Sequence, residues 1–182
     1  MIIVINRFLL TGDTHGDFTR FKNYDKEVQD DEHTAVIILG DAALNYTLNE
    51  RDAQMKNFLS KRYKFHIYCV RGNHEARPQD VSNMKLIYDE DVCGEVYVQD
   101  KWPNIRYFKD WGIYTLGDLC IAVIGGAYSV DKFYRLGRAE AAGKKPTAAE
   151  APEKGETQGQ ARKVTRASSP RKSLSRMCGC CR

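Results

Sequence analysis

Three short apolar runs in this chain each break at a glycine followed at once by a metal- or phosphate-binding type of side chain. The junctions are Gly12-Asp13-Thr14-His15-Gly16-Asp17, Gly40-Asp41-Ala42-Ala43-Leu44-Asn45 and Gly72-Asn73-His74-Glu75. The runs before them, residues 2–10, 35–39 and 65–70, are rich in β-branched and aromatic residues and read as strands. Residues 17–29 carry Phe18, Phe21, Tyr24 and Val28 at helical spacing. Residues 50–62 carry Ala53, Met55, Phe58 and Leu59 on an approximately helical stripe. Strand–helix alternation of this length predicts βαβ units and a parallel sheet, an α/β fold. Beyond Arg77 the helical signal fades, and residues 95–99, 105–109, 112–116 and 119–124 read as further strands.

The carboxyl ends of parallel strands are where open α/β sheets bind ligands. Glycine at each junction lets the backbone turn sharply and approach an ion or phosphate without a Cβ clash. Asp13 and His15 stand two apart, so on an extended segment both project to one side and can grip one metal. Singly, each junction has a plain alternative, because Asp after Gly is a common turn residue and Asn-His can cap a following helix. The recurrence at three successive strands is what carries weight.

Composition divides the chain near Leu136. The seven Phe, ten Tyr and two Trp all lie at or before Tyr134, and residues 137–182 contain no aromatic, Ile, Asp, Asn or His. Those residues hold 11 Lys/Arg against 4 Glu, a net of +7, whereas residues 1–136 hold 17 against 20, a net of −3. Such a tail predicts disorder, because it cannot bury enough apolar surface to offset ordering entropy. Its basic charge is expected to allow weak, nonspecific contact with nucleic acid, without stacking from any aromatic. Residues 1–136 are thus expected to form one domain and residues 137–182 a low-complexity basic tail. No apolar run reaches the roughly 18 residues that span a bilayer, and Arg7 interrupts the only leader-like stretch, so the expected location is cytoplasmic and no membrane partner is expected. The Cys178, Cys180 and Cys181 cluster has neither zinc-finger nor prenylation spacing.

GDTHGD, GDAALN and GNHE resemble, in order and spacing, the first three motifs of the calcineurin-like metallophosphoesterases. The resemblance covers residues 1–136, including GGAYSVDK at 125–132. It implies an incomplete version of a two-sheet α/β/β/α sandwich. It also implies two divalent cations, drawn from Mn, Fe, Zn, Ni or Mg, about 3.5–4 Å apart, which hold a hydroxide for in-line attack on phosphorus. By the resemblance Asp13 and His15 ligate the first cation, Asp41 bridges both and Asn73 ligates the second. His74 protonates the leaving oxygen or stabilises the transition state, so Asp41 and His74 are the expected catalytic pair. Arg71 and Asn45 are expected to contact the phosphate ester, and Arg77 either binds substrate phosphate or, the favoured alternative, stands solvated on the surface. Glu75 either orients His74 or forms a surface ion pair, and His33 and His66 are not ligands.

Later motifs of that family supply three more histidines, whereas His74 is the last of the four here. The second cation is left with Asp41 and Asn73, so turnover is expected to be impaired. The alternative is a truncated or frameshifted, non-catalytic fragment that retains divalent metal or phosphate binding. A frameshift near Leu136 would account for the simultaneous loss of so many residue types, and sequencing the encoding DNA tests it. Apolar sheet surface and an open edge are expected where the later strands would pack.

Overall fold

The computed structural model describes residues 5–27, 32–126, 132–141 and 143. Strands β1 (Arg7–Thr11), β2 (Thr34–Leu39) and β3 (His66–Val70) alternate with helices α1 (Phe21–Glu27) and α2 (Glu50–Arg62). A short 3-10 turn, Pro78–Asp80, leads to β4 (Met84–Asp89), β5 (Gly94–Gln99), β6 (Ile105–Phe108), β7 (Trp111–Leu116), β8 (Leu119–Ile124) and α3 (Lys132–Ala141). Six strands form one mixed sheet in the order β1-β2-β3-β6-β5-β4, and β7-β8 form a separate hairpin. β1, β2, β3 and β6 run parallel, while β5 and β4 continue the sheet antiparallel.

Side-chain alternation along β2 and β3 fills two cores at once. Val36, Ile38, Ile67 and Cys69 point into one cluster with Phe18, Phe21, Leu59, Tyr63 and Phe65 from α1, α2 and their flanks. Ala35, Ile37 and Tyr68 point the other way, against Phe108 and the hairpin residues Tyr114, Leu116 and Val123. The period of two in a strand makes this division, and covering on both faces is why β2 reads as an unbroken apolar run. The architecture is therefore mixed α/β, with helix residues on one face of the six-stranded sheet and a small hairpin sheet on the other. Among the described residues the hairpin is all that stands for the expected second sheet. Leu10 and Leu39 at the strand ends, and Trp111, Leu119 and Ile124 on the hairpin, are exposed.

Tyr114 fastens the hairpin. Its ring packs 4.4 Å from the Phe108 centroid, and its hydroxyl accepts the Lys109 N–H at 3.0 Å and donates to the Glu95 carbonyl at 2.8 Å. A Cβ at Gly94 or Gly112 would overlap the ring, so both glycines admit the close approach. Tyr114→Phe keeps the packing and strands both backbone groups, with an expected cost of about 1–2 kcal/mol. Urea denaturation measures it, and an unchanged midpoint would remove the hydroxyl from this account.

Several elements differ from the sequence expectation. α1 begins at Phe21 rather than residue 17, because the Asp17 carboxylate accepts the Thr19 N–H and hydroxyl and holds a turn there. α2 has the expected bounds, set by the Asn49 side chain capping Arg51 N–H and by Asp52 accepting from Thr47 and Leu48. Its inward stripe is Asp52, Lys56 and Leu59, however, while Phe58 is 51% exposed. β4 was not anticipated: its middle residues face solvent, and only pairing with β5 extends them. The composition break at Leu136 falls inside α3. Residues 137–141 of the tail expected to be disordered are instead helical, as the end of α3. The tail beyond residue 143, with its cysteine cluster, lies outside the described residues, and its nucleic-acid contact remains an expectation. Among the described residues no helix is long and apolar enough to cross a membrane.

Candidate functional site

The loops after β1, β2 and β3 lie side by side because those strands are parallel neighbours. Asp41 joins them. Its backbone carbonyl accepts the His15 N–H at 2.8 Å and the Thr14 N–H at 3.3 Å, while its Oδ1 accepts the His74 N–H at 2.8 Å. Thr14 adds a bond from its hydroxyl to the Ala42 carbonyl. The backbone pays in strain for this convergence: His15, Asp41 and Ala43 sit at φ 47°, 38° and 60°, each in the left-handed region. Gly40, at φ 96°, makes the turn that aims Asp41.

Glu75 neither forms a surface ion pair nor reaches for the His74 ring. It is buried, and its carboxylate accepts the Leu44 N–H at 3.3 Å and the Gly72 N–H at 3.4 Å, so it clamps the second loop to the third. Burial pushes its carboxyl pKa up, and the backbone donors of Gly72, Leu44 and Ala42 oppose that shift. Ala76 N–H adds a bond to the Asn45 carbonyl across the same junction.

Asp13 and His15 meet, His15 Nε2 lying 2.9 Å from Asp13 Oδ2, but with His15 in a left-handed turn at φ 47° rather than on the extended segment that the spacing argument assumed. The His15 and His74 rings stand edge to face with centroids 5.9 Å apart, and Tyr46 lies 6.4 Å from His74. Two cavities share Asp41. One, of about 230 Å³, is lined by His15, Tyr46, Arg51 and His74. The other, about 490 Å³, brings Asp13, Asn73 and Arg71 beside the apolar residues Leu10, Leu39 and Ile121.

Arg71 is held in a fork by Asp110, with Nε and Nη2 each 2.8 Å from a carboxylate oxygen. Its guanidinium packs where a Cβ on Gly126 would lie. Asn45 requires correction as a substrate contact: it lines neither cavity, is buried, and its Oδ1 accepts from Lys56 Nζ at 2.6 Å. Polar residues at a strand end look alike in sequence whether they face a cleft or the core. His33 and His66 lie before or at the amino ends of β2 and β3, at the far side of the sheet from these loops. Lys56, Asp110 and Tyr46 were not singled out in the sequence, where no period or motif marks them.

The donors suit a divalent cation in kind, since two carboxylates, an imidazole and an amide match a borderline metal. Asp13, His15 and Asp41 would hold one such ion. A second ion would have only Asp41 and Asn73 of the expected donors, and among the described residues no three His, Cys, Asp or Glu side chains, Asp13, His15 and Asp41 included, converge as a ready-made metal cluster.

A family model described as calcineurin-like phosphoesterase matches residues 6–146. No curated protein and no solved structure matches the chain.

Proposed function

The chain belongs to the calcineurin-like phosphoesterase family, and from that premise we propose that it hydrolyses phosphate monoesters or diesters in a metal-dependent reaction of impaired turnover. The convergence of three strand-end loops on Asp41, with His15 and His74 on one side and Asp13, Asn73 and Arg71 on the other, supports this reading. Asp13, His15 and Asp41 would hold a divalent cation, which would supply Lewis-acid charge at the phosphoryl group.

The remaining roles fall to the chain itself. Arg71, immobilised by Asp110, offers a guanidinium to phosphoryl oxygens on the cavity wall. His74 has its backbone fixed by Asp41, and its ring gives a proton to the leaving oxygen. Glu75 keeps the second and third loops together while this happens. Impairment follows from the donor count, because the second ion's set lacks any imidazole.

The test is hydrolysis of a generic aryl phosphomonoester and its paired diester with Mn²⁺, before and after a chelator. Slow turnover that the chelator removes is the expected result, and the preferred ester assigns the substrate class. Folded protein that takes up Mn²⁺ and turns over neither ester would overturn the proposal. It would favour instead the second reading, a non-catalytic protein that binds a divalent ion or phosphate.

A further inference from the structure

Lys56 is the one lysine that the fold draws inside among the described core residues, at 4% exposure. It stands in the middle of α2 on the face turned to the sheet. Its Nζ donates to Asn45 Oδ1 at 2.6 Å and to Gln99 Oε1 at 2.8 Å, and lies 5.1 Å from the Trp102 ring centroid and 5.7 Å from that of Tyr107. Burying an ammonium is costly, and two neutral acceptors with two ring faces compensate only part of that cost.

The charge lies at the start of a chain of bonds that ends in the candidate site. Asn45 follows Leu44, whose N–H is held by Glu75, and the Asn45 carbonyl accepts the Ala76 N–H at 2.9 Å. Glu75 also holds the Gly72 N–H, and between Gly72 and Glu75 lies His74, bonded through its N–H to Asp41. A displacement of Asn45 therefore moves both flanks of the segment that presents His74.

We propose that Lys56 is a positioning residue for the phosphoester site, fixing His74 against Asp41 through Asn45 and the loop after β3. The role in turnover rests on the phosphoesterase reading; the mechanical link does not. Burial pulls the Lys56 pKa from 10.5 down to about 8, against the attraction of Asp52, Cys69 and Glu75. The titratable groups that face it are Asp52 from its own helix, Cys69 from β3, Glu75 from the loop after β3 and Tyr107 from β6. Burial pushes the Cys69 thiol and the Tyr107 phenol well above their usual ranges, so neither changes charge between pH 7 and 9. The neutral amine keeps two N–H groups for its two acceptors but loses charge assistance and the attraction of the rings. Loss of the proton thus loosens the link by degrees.

The test follows the backbone amide resonances of Leu44, His74 and Ala76 in the isotope-labelled full chain from pH 6.5 to 9.5. A shared inflection near pH 8 is expected in the native protein and in neither Lys56→Met nor Lys56→Arg, whose charge does not titrate in that range. In hydrolysis with Mn²⁺, Lys56→Met is expected to lose about 10- to 100-fold in kcat, as outer partners of a metal site do, and Lys56→Arg to recover most of it without the alkaline limb. No inflection in the native protein, or one that persists in either variant, overturns the proposal. The native titration decides this even if a variant fails to fold. Absence of hydrolysis with the inflection intact would sink the phosphoesterase reading alone and leave the mechanical link standing.

Discussion

Asp41→Asn is expected to reduce metal-dependent phosphoester hydrolysis by at least about 100-fold, because it removes the negative charge that both cavities share. The same change is expected to leave the fold almost untouched. An asparagine Oδ1 can accept the His74 N–H as the carboxylate does, and the bonds from Thr14 and His15 go to the main-chain carbonyl. Asparagine also tolerates the left-handed backbone at φ 38° better than most residues. Asp41→Ala provides the contrast, since it strands the His74 N–H and places a residue ill suited to that conformation, with an expected cost of about 1–3 kcal/mol. Steady-state rates with Mn²⁺ and thermal denaturation of both variants measure the two effects separately. Equal destabilisation by Asn and Ala would show that the carboxylate charge is structural, and the assignment of Asp41 to the chemistry would fall.

Gly72→Ala is expected to destabilise the protein by about 3 kcal/mol, the upper end of ordinary overpacking. A Cβ at Gly72 would fall on the Asp41 backbone nitrogen and carboxylate, and backbone cannot rotate out of the way. Relief requires β2 and β3 to part at their ends, which would also break the His74–Asp41 bond. Gly40 differs, since a Cβ there would meet the Gly72 Cα in ordinary contact at 3.7 Å, and its φ of 96° is what favours glycine. Gly12→Ala is the control: nothing lies within 4 Å of its added carbon, so a change within about 0.5 kcal/mol is expected. Denaturant unfolding of the pair decides the matter. Similar costs at positions 12 and 72 would mean that the close approach at Gly72 is not what the motif requires.

Those two glycines also show where sequence reading stops. Gly12, Gly40 and Gly72 occupy equivalent places in three similar motifs, yet one is required by contact, one by its φ of 96° and one by neither. The difference depends on which backbone lies opposite, and that is decided by strand order. Likewise, Asn45 and Asn73 each stand in a loop that follows a strand, yet Asn73 lines the larger of the two cavities at Asp41 while the Asn45 side chain is buried against Lys56.

The local elements were legible because local physics forms them. α2 was readable to its last residue: Asn49 caps the Arg51 N–H, Asp52 holds the Thr47 and Leu48 N–H groups that lead into the helix, acidic residues occupy its first turn, and Lys61 and Arg62 its last. β2 and β3 were readable because strands covered on both faces have no room for polar residues. β4 was not, since its side chains are mostly exposed and its strand conformation comes from hydrogen bonds to β5. The burial of Lys56 and Glu75 was equally hidden. A charged side chain reads as surface unless its partners are known, and theirs lie 43 residues away at Gln99 and 31 away at Leu44.

The sequence by itself thus determined the family, the three strand-end motifs and most of the elements that carry them, all properties of short stretches of chain. Only the tertiary structure decided that Asp41 joins three loops, that Glu75 is a clamp and that Asn45 faces the core. Each of those facts is a meeting of residues far apart in sequence, and a meeting of that kind is fixed by packing and hydrogen-bond satisfaction across the whole sheet.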